Sequence, residues 1–284
     1  MAARRRGSRS PGGGPDLLAG AYIRSIALER DRVRDFGRYP FSVPAIRDLH
    51  VLDLHPHVTF FVGENGVGKS TLIEAVAVAA GFNTEGGSKN FSFETNNTTS
   101  ELNEALRLVR GMRRERDGFF LRAESFYNVA TEIDAMDADD DARMAPRLLP
   151  AYGGRSLHAQ SHGESFMALA LTRFRGQGLY ILDEPEAALS PSRLLSLLVL
   201  IDQHVKQGGS QFLIATHSPI LMAYPKAIIY HLTTDRGIEP ITYEETEHFR
   251  LTRDFLNNRE TYLRELFSDE PEETGPVAGW PPPR

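Results

Sequence analysis

The stretch that most constrains this chain is Gly63, Glu64, Asn65, Gly66, Val67, Gly68, Lys69, Ser70 and Thr71, because of what flanks it. Before it stands Val58–Val62 (VTFFV), a short continuous apolar run of the kind a parallel strand shows when both its faces are buried. After it, an apolar stretch with helical spacing runs from Lys69 to about residue 80. The order strand, glycine-rich turn, helix gives the pattern G-x-x-x-x-G-K-[ST] a mechanism. Glycines let the backbone wrap phosphate groups with its N–H groups pointing inward. The helix then presents its positive end to the same anions. In that arrangement Lys69 reaches the β- and γ-phosphates of a nucleotide and Ser70 ligates Mg²⁺.

Elsewhere strands and helices alternate. Residues 21–29 alternate apolar and polar side chains and read as a strand, and so do residues 119–123. Residues 179–182 form an apolar strand ending in Asp183 and Glu184, residues 212–215 another ending in Thr216 and His217, and residues 228–232 a further one. Helical spacing is read over residues 101–114 and 163–174, and two helices over 244–267. Ser190 followed by Pro191 marks a helix start, with the helix running to about Lys206. This alternation predicts an α/β fold with a mostly parallel sheet and helices on both faces, and the glycine-rich loop makes it one of P-loop NTPase type. The expected domain covers residues 20–267, with a long polar loop over 81–100 and a small helical insertion at about 125–160. Residues 1–19 are expected to be a disordered basic tail and residues 268–284 a disordered acidic, proline-rich one.

Composition narrows the chemistry. Of 284 residues none is cysteine, which excludes disulfides, thiolate nucleophiles and cysteine zinc sites and fits a cytoplasmic setting. The formal net charge of −6 argues against a basic grip on nucleic acid by the whole molecule. Arg107, Arg110, Arg113, Arg114 and Arg116 cluster near one expected helix end. They leave DNA open as a partner, although a solvated face paired with acids is the plainer account. The acidic run at residues 134–141 reads as a solvated loop. No apolar run approaches the ~20 residues of a membrane span.

Two adjacent acids at the end of a buried strand need a cation or solvent to meet them. In a P-loop protein Asp183 would hold Mg²⁺, and Glu184 would orient and polarise the attacking water. With these motifs the chain resembles the ABC/SMC class of P-loop ATPases, and more narrowly small stand-alone bacterial ATPases. Asn65 and Gly66 give the loop the G-x-N-G-x-G-K-S-T form of that class, and Asp183, Glu184 and Pro185 resemble its acidic motif. The resemblance makes His217 the switch histidine, contacting the γ-phosphate and the attacking water. It makes Ser161, His162, Gly163 and Glu164 the signature segment, which contacts ATP held by a second subunit. The family form there is Leu-Ser-Gly-Gly-Gln, so His162 and Glu164 depart from it.

Ser190 stands where the class has an aspartate, and Glu124 or Ser125 where it has a glutamine. Tyr39 or Phe41 is placed to stack on adenine. The implied activity is ATP hydrolysis with Mg²⁺ by an ATP-dependent homodimer acting on an unidentified macromolecular client. The alternatives are the nucleotide-binding subunit of a membrane transporter, a small-molecule kinase and a switch that does not hydrolyse. No Asn-Lys-x-Asp guanine motif occurs.

Overall fold

A computed structural model describes residues 20–89, 101–124 and 162–268. The expected insertion, both tails (save Ser268) and Ser161 lie outside these residues. The chain enters on β1 (Ile23–Leu28), passes a short helix α1 (Pro44–Arg47) and β2 (Val51–Asp53), and reaches β3 (Val58–Val62). Helix α2 (Lys69–Ala79) follows the glycine-rich loop directly. A single helical turn, α3 (Leu102–Ala105), leads into β4 (Leu106–Arg110) and then β5 (Asp117–Arg122). Helix α4 (His162–Arg173) precedes β6 (Gly178–Asp183), and α5 (Pro191–Lys206) precedes β7 (Gln211–Ala215). After the short α6 (Pro219–Met222) come β8 (Ile228–Thr233), β9 (Gly237–Ile241), α7 (Glu247–Asn257) and α8 (Arg259–Phe267).

The main sheet has the order β5-β6-β7-β3-β8-β9, parallel throughout except for the antiparallel edge strand β9. Its central strands are continuous apolar runs because the sheet is covered on both sides. Side chains along a strand point alternately to opposite faces, so each run divides between two cores. Phe61, Leu179, Ile181, Leu213 and Ala215 join Leu72, Ile73 and Val76 of α2 on one face. Phe60, Tyr180, Leu182, Phe212 and Ile214 join Phe166 and Leu169 of α4 and Leu194, Leu197 and Ile201 of α5 on the other.

A second, three-stranded antiparallel sheet, β2-β1-β4, closes over the α2 side. A buried glutamine helps bind it to the main sheet. Gln211, fully buried in β7, accepts from the Tyr22 and Ile23 amides at 3.0 and 2.9 Å and donates to the Ile23 and His55 carbonyls at 2.8 and 3.1 Å.

The structure corrects one element. Residues 101–114 are not a helix: only Leu102–Ala105 is helical, and Leu106–Arg110 is a strand paired along β1 from Leu28↔Leu106 to Ile23↔Arg110. Leu102, Ala105, Leu106 and Val109 fit a helical period, but LRLVR also alternates, and the free edge of β1 decides between them. Two of the clustered arginines therefore sit on a strand and meet acids. Arg107 lies 3.5 Å from Glu29 and Arg110 lies 3.1 Å from Glu115.

Candidate nucleotide site

The sheet order brings three strand ends together. β6, β7 and β3 are parallel neighbours, so the acidic pair after β6, Thr216 and His217 after β7, and the glycine-rich loop after β3 emerge on the same side. The carboxyl ends of such strands are where open α/β sheets place ligands. Local sequence shapes the loop. Gly63 has φ +145°, and a Cβ there would lie 2.4 Å from the Leu232 carbonyl oxygen, so only glycine fits beside β8. Gly66 has φ +82°, and a Cβ there would meet no atom within 4 Å; its side faces open space where a ligand's phosphate could approach. Glu64 and Asn65 are exposed, and Val67 packs into the core. Gly68, with a left-handed backbone, precedes the first turn of α2.

That turn carries Lys69, Ser70 and Thr71. Lys69 is 3% exposed; its ammonium donates to the Glu64 carbonyl at 2.8 Å and lies 4.0 Å from Glu184 Oε1. Burial lowers its pKa, while Glu184 and Asp183 oppose that shift. Ser70 donates its hydroxyl to Asp183 Oδ1 at 3.0 Å. Asp183 is 3% exposed, and burial pushes its carboxyl up to about 7 against the pull of Arg122 and Ser70. A hydroxyl and a dry carboxylate side by side suit a hard divalent cation that takes its remaining ligands from water and phosphate oxygens. Ser70 and Asp183 together fit Mg²⁺ that takes its other ligands from a nucleotide and water.

Glu184 follows in a left-handed conformation, φ 47° and ψ 51°, and its amide donates to the Ala215 carbonyl at 3.0 Å. This turn brings Glu184 Oε1 to 3.1 Å from His217 Nε2. The His217 amide in turn donates to Glu186, whose pKa burial raises. The structure thus gathers Lys69, Ser70, Asp183, Glu184 and His217, all taken from the sequence, into one contiguous group.

Three further residues belong to it. Arg122 ends β5, with Nε 3.4 Å from Asp183 Oδ2 and its two remaining nitrogens on Glu74 at 2.9 Å and Glu124 at 3.1 Å. Glu186 touches the His217 backbone, and His248 of α7 places Nε2 3.0 Å from His217 Nδ1. The strand-end position of Arg122 was a usable signal, since a site residue is expected there. Nothing in the local sequence marks His248, which reaches the site only through the packing of α7.

The other expectations divide. Tyr39 is 70% exposed and its hydroxyl lies 2.9 Å from Thr71 Oγ1, whereas Phe41 is buried in the core. Of the signature residues, His162 opens α4, Gly163 packs against Arg193 and the Ala188 carbonyl, and Glu164 pairs with Arg193 at 3.2 Å. Ser190 caps α5 by position, but its side chain makes no capping hydrogen bond.

Residues 32–129 match a family model described as an AAA domain. Residues 151–223 match a second, described as an AAA domain, putative AbiEii toxin, Type IV TA system. No curated protein matches significantly. Similar solved structures include the SMC head domain from Thermotoga maritima, at 17% identity and TM-score 0.42, covering 78% of this chain and 99% of that one. CbiO1 from Clostridium perfringens, part of the ABC transporter complex cbiONQ, is 19% identical with TM-score 0.43, covering 86% and 99%. The two AAA-domain matches between them hold the phosphate loop and the adjoining acidic strand end, and these give the chain the fold of a P-loop ATPase.

Proposed function

We propose that the chain binds ATP with Mg²⁺ and hydrolyses it to ADP and phosphate as a nucleotide-sandwiched homodimer acting on a macromolecular client. The observation that carries this is the cluster in which Ser70 meets Asp183 at 3.0 Å while the adjacent Glu184 lies 4.0 Å from Lys69 and 3.1 Å from His217. The loop amides from Gly63 to Thr71 and the Lys69 ammonium bind the phosphates. Ser70 and Asp183 hold Mg²⁺, which neutralises phosphate charge. Glu184 orients the attacking water and takes its proton, and His217 donates from Nε2 toward the γ-phosphate. Tyr39 offers its exposed ring to the adenine.

Residues 161–164 of a second copy complete the site in this reading. His162 opens α4, and the first-turn amides of a helix have no partner within it, which supports their donating to a γ-phosphate. Loss of the γ-phosphate then loosens the dimer. No described helix is long and apolar enough to cross a membrane, so service to a transporter would need a separate membrane partner.

The test is phosphate release by the wild-type chain beside Glu184→Gln, with size-exclusion chromatography in ATP. Turnover by the wild type, with a slow variant that stays dimeric in ATP, supports the proposal. A wild type that releases no phosphate under saturating Mg·ATP refutes it.

A further inference from the structure

The switch histidine has a second partner. His217 Nε2 faces Glu184 Oε1 at 3.1 Å, and its other nitrogen, Nδ1, faces His248 Nε2 at 3.0 Å. The two ring centroids lie 5.0 Å apart at 61°, so the contact is edge-on and suited to a hydrogen bond rather than a stack.

Proton counting fixes the roles. A carboxylate only accepts, so the hydrogen between His217 and Glu184 sits on His217 Nε2. In a neutral His217 this leaves Nδ1 as an acceptor, and the hydrogen between the two rings belongs to His248 Nε2. We infer that His248 is a positioning residue for ATP hydrolysis: by donating to Nδ1 it holds His217 as the tautomer that presents N–H at Nε2. This rests on the proposed ATPase reading for its consequence, though not for its geometry.

The surroundings are built for that task. His248 is half-buried on the first turn of α7, and burial above all pushes its pKa down to about 4. It therefore stays neutral and keeps one N–H to give. The start of α7 is anchored. Thr246 is 1% exposed and donates to the Tyr243 carbonyl at 2.7 Å, and Tyr243 packs on Phe249 with centroids 4.4 Å apart. A rigidly held donor on a distant element is how a base or acid elsewhere is kept in its working tautomer.

The experiment uses the full chain carrying ¹⁵N-histidine, with His217 assigned through His217→Gln. In the wild type, His217 shows a protonated Nε2 and a bare Nδ1. In His248→Phe, which keeps a ring but no donor, the His217 signals move toward a mixture of tautomers. Turnover falls by roughly tenfold to a hundredfold in kcat, with KM within about threefold, as loss of one hydrogen bond in the reacting state predicts. His248→Gln, whose amide N–H can reach Nδ1, recovers most of both readouts. If His248→Phe does not fold, His248→Asn, too short to reach, replaces it. A His217 tautomer indifferent to the loss of His248 overturns the inference whatever turnover does. A wild type without turnover refutes the ATPase reading alone, because the spectrum still decides the tautomer.

Discussion

Ser70 and Asp183 join the two halves of the site: the hydroxyl on the first turn of α2 donates to the carboxylate at the end of β6, 3.0 Å away. The residues are far apart in sequence and their strands are not even neighbours, since β7 runs between β3 and β6. The bond holds the phosphate loop and the acidic motif at the spacing one cation can bridge.

The buried acid makes stability depend on pH. Asp183 has its folded pKa raised from 3.8 to about 7 by burial. The folded chain then binds more protons than the unfolded one between these values, so this group's contribution is full below the unfolded pKa. It is lost as pH rises toward 7. The nucleotide-free protein should be less stable at pH 8 than its Asp183→Asn variant, by an amount on the order of a few kcal/mol, and so melt at a lower temperature. Mg·ATP should raise the melting temperature of the wild type and not of the variant. Differential scanning fluorimetry across pH reads both.

Gly63 and Gly66 should fail in different ways. At Gly63 an added methyl group would collide with the Leu232 carbonyl at 2.4 Å, so Gly63→Ala should lose several kcal/mol or not fold. At Gly66 the methyl group meets nothing, and Gly66→Ala should lose only about 1–2 kcal/mol through its positive φ. Its defect should lie in nucleotide affinity, measured by titration calorimetry.

Arg122 compensates carboxylates on α2 and β6 at once. Arg122→Met leaves Asp183 and Glu74 facing each other without their cation, and should lower stability by about 2–4 kcal/mol without nucleotide. Mg²⁺ with ATP should restore part of the loss. Chemical denaturation with and without Mg·ATP checks this.

Gln211 tests the join between the sheets apart from the chemistry. Gln211→Leu strands the amides of Tyr22 and Ile23 and should cost about 2–5 kcal/mol in urea unfolding. Turnover per folded molecule should stay near wild type, because no atom of Gln211 reaches the loop.

What the sequence disclosed follows from what it encodes locally. The phosphate loop, Asp183 with Glu184, and His217 were legible because each is a short pattern at the end of an apolar run, and parallel pairing puts such ends side by side. The strand Leu106–Arg110 was not, because its five residues satisfy two periodicities and only the open edge of β1 selects one. His248 was invisible as a site residue for a related reason, and Arg122, although its strand-end position was a signal, carried no mark of its partner. Their roles come from which surfaces meet, and no local spacing records that α7 folds back over the end of β7 or that Arg122 pairs with Asp183 across the sheet.

The left-handed backbone of Glu184 has a consequence of its own. Glycine would adopt φ 47° without strain and asparagine with little, whereas glutamate is held there against its preference. A chain shaped by thermal endurance alone would put glycine at this point. Glu184→Gly should therefore yield a protein that melts about as high as the wild type, or higher, and does no chemistry. The fold keeps an ill-suited residue at the one turn where its carboxylate can meet His217.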